Sequence, residues 1–115
     1  MTAIKLSSTN QFNKQQALSC PVTFTLNKIG GRWKPLIIFQ LMGGTKRYGQ
    51  LKKAIPAITE KMLIQHLKEL ETDGLVLRKA MPVVPPHVEY SLTEQGKELT
   101  PVLDAMCSWA QKYNT

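Results

Sequence analysis

The segment from Thr59 to Asp73 combines a leucine stripe with a polar face whose side chains can hydrogen-bond to nucleic acid. The stripe has the i, i+4, i+7 spacing of a buried helix face and consists of Leu63, Leu67 and Leu70. At about 100° per residue, the opposite face consists of Lys61, Gln65, Lys68 and Thr72. In isolation this pattern is better explained by a solvated helix face. Within a DNA-binding fold, we predict base contacts by Lys61, Gln65 and Lys68, with adenine preferred by the glutamine.

Cys20 is a second residue whose position indicates chemistry, because Pro21 marks the start of a helix directly after it. The positive end of a helix dipole stabilises a thiolate and lowers the pKa of the thiol. Three cations lie close by in sequence: Lys28, Arg32 and Lys34. A reactive thiolate is one interpretation and an inert, packed cysteine is the other, and the residues alone leave both open.

The other chemically active residue types indicate neither a metal site nor an enzyme. The cysteines and histidines lack metal-ligand spacings such as CxxC or HxxxH; they are Cys20, His66, His87 and Cys107. The stretch from Gly43 to Lys46 lacks the order of a phosphate-binding loop, and no catalytic triad or paired carboxylates stand out. We therefore predict no cofactor, and we interpret Cys107 as a packing residue of the core or of a dimer interface.

Positive charge is concentrated in the first half of this 115-residue chain, whose net charge is +7. Residues 1–59 contain nine Lys or Arg and no Asp or Glu, whereas residues 60–115 contain six basic and eight acidic side chains. A clustered cationic surface favours a polyanionic partner such as double-stranded DNA. The chain has no apolar run that could span a membrane and no secretory signal, so we expect a cytoplasmic protein without membrane contact.

The elements that must position these residues follow from hydrophobic spacing and from Gly and Pro. Residues 1–18 are predicted to form a flexible arm, and residues 19–115 a single domain. Helices are expected after Cys20, from Arg32 to Met42 and from Tyr48 to Ala54. The second of these is nearly all apolar, which predicts burial on most sides. A basic connector before Tyr48 could pair as a minor strand.

After the Thr59 helix, Gly74 is expected to end the helix, and two strands follow. These run from Leu75 to Met81 and from Val88 to Leu92, with a proline-rich turn between them. Thr93 is predicted to cap one final helix that reaches Tyr113 and carries a broad apolar stripe. The sequence thus predicts a mainly α fold with a small β-wing (α+β), the winged helix-turn-helix.

In such a fold, side chains on the connector, the short helix and the wing contact the DNA backbone. We predict backbone contacts by Lys46, Arg47, Lys52, Lys53, Thr59, Lys79 and His87. His87 is expected to be an exposed residue of the wing. These contacts supply affinity without sequence information.

Four stretches of the sequence resemble the HxlR family of bacterial transcriptional regulators, in the family's order and spacing. They are CPVTFTLNKIGGRWKPLII, RYGQLKKAIPAITEKMLIQHLKELETDGLV, PPHVEYSLTEQG and PVLDAMCSW. The resemblance extends from about Cys20 to Trp109. It implies a winged-helix regulator, usually a repressor, that binds an imperfect palindrome. The alternative is a winged helix used for protein or RNA contacts.

The resemblance also implies a homodimer formed by the first and last helices. The side chains expected at that interface are Val22, Leu26, Leu99, Leu103, Met106, Trp109, Ala110 and Tyr113. In many family members a cysteine at the position of Cys20 senses an oxidant or a small electrophile, which favours the reactive interpretation. Where family members often have Arg at the wing tip, this sequence has His87.

Overall fold

The computed structural model describes residues 20–114. The arm predicted for residues 1–18 lies outside the described residues. The chain divides after Gly30 into two compact units. Within residues 20–114, none of the helices is long and apolar enough to cross a membrane.

The first unit contributes helix α1, Pro21–Ile29. Cys20 is the N-cap with extended backbone, and the proline occupies the first turn, where its missing N–H is tolerated. The Gly30 N–H donates to the Leu26 carbonyl at 2.7 Å, and the extended backbone of Gly30 then ends the helix. Apolar side chains are exposed along α1: Val22, Phe24 and Leu26.

The second unit contains the remaining helices and strands of the described chain. In order they are α2 (Trp33–Leu41), β1 (Lys46–Arg47), α3 (Tyr48–Ala54), α4 (Glu60–Thr72), β2 (Val76–Met81), β3 (His87–Leu92), α5 (Glu94–Lys97) and α6 (Thr100–Tyr113). The strands form one antiparallel sheet in the order β1-β3-β2. The predicted mainly α fold with a β-wing is confirmed, as is the minor strand in the connector.

Helix α2 lies at the centre of this unit and contacts α3, α4, α6 and β3. Its side chains Ile37 and Ile38 are fully buried. The sequence predicted burial on most sides, but Leu36 and Phe39 are exposed. Leu36 and Phe39 are three positions apart and share one side of α2, which the other elements of this unit leave uncovered.

Helix α4 begins and ends as the sequence predicted. The Thr59 hydroxyl accepts a hydrogen bond from the Met62 N–H at 3.1 Å, which caps the first turn. Gly74, with φ of +78°, turns the chain into β2. The three leucines of the stripe are all buried, and α4 packs on α2 and β2. This packing leaves the polar face of α4 in solvent.

The wing is formed by β2 and β3, with Val76 opposite Leu92 and Met81 opposite His87. The connecting turn spans residues 82–86 and carries the exposed Val84 at its tip. The expectation of an exposed His87 is wrong, because this residue begins β3 and its side chain is only 17% exposed. Its Nε2 lies 3.0 Å from Glu89 Oε2.

The C-terminal region forms two helices instead of the predicted single helix. Thr93 caps α5, and its hydroxyl accepts from the Gly96 N–H at 3.0 Å. Helix α5 ends at Lys97, and α6 begins at Thr100. Pro101 explains the break, because its ring would clash with the carbonyl of Lys97 in a continuous helix.

Candidate nucleic-acid interface

A groove of about 900 Å³ lies between α3, α4 and the wing. Its floor is largely apolar and includes Tyr48, Ile64, Val88 and Tyr90. The Tyr48 hydroxyl is buried and has no hydrogen-bond partner among the described residues. Burial raises the pKa of Tyr48, and the charge of Glu60 acts in the same direction. The Tyr48 side chain therefore remains neutral at physiological pH.

Four cations line this groove, each from a different element. They are Arg47 of β1, Lys53 of α3, Lys68 of α4 and Arg78 of β2. Glu71 also lines it, so the lining has a positive net charge. Cationic side chains that converge on a concave surface create a field that attracts phosphates.

The predicted backbone-contacting residues fall into two groups. Arg47, Lys53 and His87 line the groove, whereas its lining within residues 20–114 does not include Lys46, Lys52, Thr59 or Lys79. The ammonium group of Lys52 donates to the Pro56 carbonyl at 3.4 Å. The Thr59 hydroxyl serves as the cap of α4. Lys79 lies opposite Glu89 in the β2–β3 pair.

Arg78 is a groove residue that the sequence reasoning missed. Side chains alternate between the two faces of a strand, so Arg78 lies on the same face of β2 as the buried Val76. That face packs toward α4. Lys79 lies on the opposite face. The sequence could not decide which face of β2 is the inner one, because Leu75, Val76 and Leu77 are all apolar.

On α4, the four residues of the predicted DNA-facing side are all exposed: Lys61, Gln65, Lys68 and Thr72. Gln65 Nε2 donates to Glu69 Oε2 at 3.1 Å. Glu69 Oε1 lies 2.7 Å from Lys34 Nζ of α2 and 3.5 Å from His66 Nδ1. Hydrogen bonds from Lys34 and then Gln65 lower the pKa of Glu69 to about 2. The carboxylate is therefore charged at physiological pH.

Glu69 is a second residue that the sequence reasoning missed. Its spacing from Gln65, four residues along one helix, could have indicated their contact. Its pairing with Lys34 had no such signal, because the two residues belong to different helices far apart in sequence.

Cys20 is half-buried, and neither Cys20 nor Cys107 forms a disulfide. The backbone N–H groups of Thr23 and Val22, in the first turn of α1, lower the pKa of the Cys20 thiol, while desolvation opposes them. The Cys20 side chain does not form a regular N-cap hydrogen bond. The N–H groups favour the thiolate because they form the positive end of the helix dipole. Among the cations that the sequence suggested, Arg32 stacks on Trp33 and Lys34 pairs with Glu69.

The side chains predicted at a dimer interface differ in exposure. Trp109 and Tyr113 of α6 are 67% and 71% exposed, and their ring centroids are 5.2 Å apart. Met106 is also exposed, as are Val22 and Leu26 of α1. Leu99 and Ala110 are half-buried. Leu103 is only 3% exposed within a single chain, which leaves this side chain almost no surface to offer a partner.

Among residues 20–114, no three His, Cys, Asp or Glu side chains come together in a way that could hold a metal ion. The helices and the wing together form a winged helix-turn-helix, with a cationic groove beside α4. The chain belongs to the HxlR-like helix-turn-helix family, which matches residues 28–115. This membership confirms the predicted class, a transcription regulator and not an enzyme.

Among relatives, the chain is similar to the uncharacterized HTH-type transcriptional regulator YkvN of Bacillus subtilis. The two are 53% identical over 95 residues, which cover 83% of this chain and 80% of that protein. Among solved structures it is similar to the redox regulator HypR in its reduced form, with a TM-score of 0.79 and 43% identity over 83% of this chain and 94% of that one. The reduced form of the B. subtilis transcriptional regulator YodB gives a TM-score of 0.72 and 41% identity over 82% and 93% of the two chains.

Proposed function

We propose that this regulator binds a palindromic operator as a homodimer, with α4 in the major groove and the wing on the flanking backbone. The observation that carries the proposal is the cationic groove, in which four elements each place one positive side chain beside the polar face of α4. Such an arrangement can neutralise phosphates on either side of a major groove that α4 enters.

In this proposal affinity and sequence reading reside in different residues. Arg47, Lys53, Arg78 and His87 contact phosphates from within the groove. Further backbone contacts come from residues outside its lining, which are Lys46, Lys52, Thr59 and Lys79. Base edges are read by Lys61, Gln65 and Lys68, which are exposed on α4. A bidentate contact discriminates between bases by about 1–3 kcal/mol. Two copies of α4 enter successive major grooves about 34 Å apart.

Exposed apolar side chains on two helices support the proposed dimer. Helices α1 and α6 both present large apolar side chains to solvent in the single chain. A second copy of the chain buries these side chains and sets the spacing between the two recognition helices. A dimer bound over a promoter blocks polymerase, so we propose repression.

A binding assay with Gln65→Ala tests the reading role. Operator duplexes are first selected from a randomised pool, and affinities are then measured for the selected duplex, for single-base variants and for random DNA. Gln65→Ala is expected to lose affinity at one base pair per half-site, where adenine is no longer preferred. Arg78→Ala is expected to weaken binding to every duplex alike. An equal loss on selected and random DNA for Gln65→Ala contradicts its reading role.

We further propose that modification of Cys20 controls DNA binding. Two observations support this: the pKa of its thiol is lowered at the start of α1, and a redox regulator, HypR, is 43% identical to this chain. A quinone adds to the thiolate by forming a sulfur–carbon bond while a ring oxygen takes up a proton. The adduct lies two residues before Val22 of the proposed dimer surface and changes how the two copies pack.

Treatment with p-benzoquinone tests this control. Operator affinity is expected to change in the wild type and in Cys107→Ser but not in Cys20→Ser. Cys107→Ser is a matched control, because it removes the other half-buried thiol. If Cys20→Ser responds like the wild type, Cys20 has no part in regulation.

A further inference from the structure

A line of polar contacts crosses from α2 to the exposed face of α4. It starts at Lys34 Nζ, which lies 2.7 Å from one oxygen of Glu69, and continues from the other oxygen to Gln65 Nε2 at 3.1 Å. The Lys34 side chain is only 12% exposed, whereas that of Glu69 is 42% exposed. The nearly buried Lys34 of α2 thus fixes the Glu69 carboxylate of α4. That carboxylate in turn fixes the exposed amide of Gln65 on the same helix.

The contact with Glu69 determines which way the Gln65 amide faces. A charged carboxylate only accepts hydrogen bonds, so the amide nitrogen, and not the oxygen, must point to Glu69. One N–H is used in this contact, which leaves the second N–H and the carbonyl oxygen available. The adenine edge in the major groove requires one donor, to N7, and one acceptor, from the N6 amino group. The restrained amide retains both.

Lys34 also makes a carboxylate tolerable near DNA. An unpaired negative charge on the DNA-facing side of α4 would repel phosphates. The ammonium group at 2.7 Å compensates the charge of Glu69, and His66 Nδ1 lies 3.5 Å from the same oxygen. Glu69 can therefore orient Gln65 without weakening attraction to the DNA backbone.

We propose that Glu69 is a positioning residue, anchored by Lys34, that pre-orients the Gln65 amide and so sharpens the preference of α4 for adenine. This inference rests on the proposed function, because it requires Gln65 to read a base. Its effect comes from preorganisation: a side chain already held in its binding orientation loses less freedom when it contacts DNA. Removing Glu69 is expected to lower adenine discrimination roughly two- to tenfold.

The experiment measures base-resolved discrimination, which a merely structural role would leave unchanged. Affinities of the wild type, Gln65→Ala, Glu69→Ala and the double variant are compared on operators that carry each of the four bases at the Gln65-dependent position. Glu69→Ala is expected to lose discrimination only at that position. In the Gln65→Ala background it should cause no further loss there. As a control, Glu94→Gln removes an exposed carboxylate of α5, which lies 3.5 Å from Lys97 Nζ and outside the groove lining, and should leave discrimination unchanged at every position.

Unchanged discrimination in Glu69→Ala, alongside a loss at that position in Gln65→Ala, overturns the inference and leaves the proposed function intact. If Gln65→Ala itself shows no loss specific to one base pair, the reading role fails and this inference fails with it. Thermal unfolding monitors whether each variant is folded. Should Glu69→Ala not fold, Glu69→Gln is judged by the same criteria, because its amide can present either end to Gln65. A smaller loss at the same position is then expected.

Discussion

Helices α4 and α6 are of similar length and both amphipathic, yet they use their apolar residues in opposite ways. In α4 all three leucines of the stripe are buried within one chain, and the exposed side chains are polar except for Ile64. In α6 only Leu103 is buried, while the larger Trp109 and Tyr113 remain exposed. The apolar side of α4 is already covered by its own chain, and that of α6 is not.

This difference indicates the kind of partner that each helix can bind. A polar, partly cationic face beside a cationic groove gains most from a highly charged ligand such as DNA. An exposed aromatic and aliphatic face gains most from another protein surface that removes it from water. One helix is therefore suited to DNA and the other to a second copy of the chain.

The largest expected effect comes from a charge placed on the exposed side of α6. Trp109→Glu is expected to yield a monomer in analytical ultracentrifugation and to weaken operator binding by about 10²- to 10⁴-fold, because the two half-sites are no longer bound together. Gln111→Glu adds the same charge on the other side of the helix and should stay dimeric. A dimer for Trp109→Glu would contradict the role given to α6.

Truncation of the leucine stripe is expected to affect stability more than assembly. Leu67→Ala should lower the free energy of unfolding by about 2–5 kcal/mol, because Leu67 is fully buried and its loss leaves a cavity. Ile64→Ala on the exposed side of α4 should change it by less than about 1 kcal/mol. Urea denaturation measures both variants, and equal effects would show that α4 is not held by its leucines.

A smaller effect on DNA affinity is expected from removing a cation of the wing, and its size should depend on which face of β2 carries the cation. Arg78→Ala is expected to weaken binding to all duplexes and to reduce the slope of log affinity against log salt by about 2, because each subunit of the proposed dimer loses one phosphate contact. Lys79→Ala removes the adjacent cation from the opposite face of β2 and should have a weaker effect. A stronger effect of Lys79→Ala would place DNA outside the groove.

The smallest expected effect is the pH dependence that Glu69 confers. Its pKa is lowered from the ordinary 4.5 to about 2, so its interactions stabilise the folded chain above pH 4.5 and are lost as the pH falls toward 2. The groups facing it are Lys34, Gln65 and His66. Glu69→Gln should therefore lose less stability than the wild type in acid. The difference is small because the carboxylate is partly exposed and screened by water. If the wild type and Glu69→Gln lose stability equally as the pH falls, this role of Glu69 is contradicted.

Features that depend on short-range spacing could be predicted from the sequence. The cap at Thr59, the stripe ending at Leu70 and the stop at Gly74 each involve residues within one or two helical turns. The break before α6 was available to the same reasoning, because Pro101 cannot continue a helix from α5. The long apolar pattern of residues 99–113 predicted one helix instead.

The sequence by itself determined the order of elements, the polar face of α4 and the position of Cys20 at a helix start, because local spacing and backbone chemistry decide these. Only the tertiary structure decided that Arg78 enters the groove, that Lys34 anchors Glu69, and that Leu103 is buried while Trp109 is exposed. Each of these depends on which elements pack together and in what register. Packing brings together residues that are far apart along the chain, and the local sequence pattern does not determine which of them come into contact.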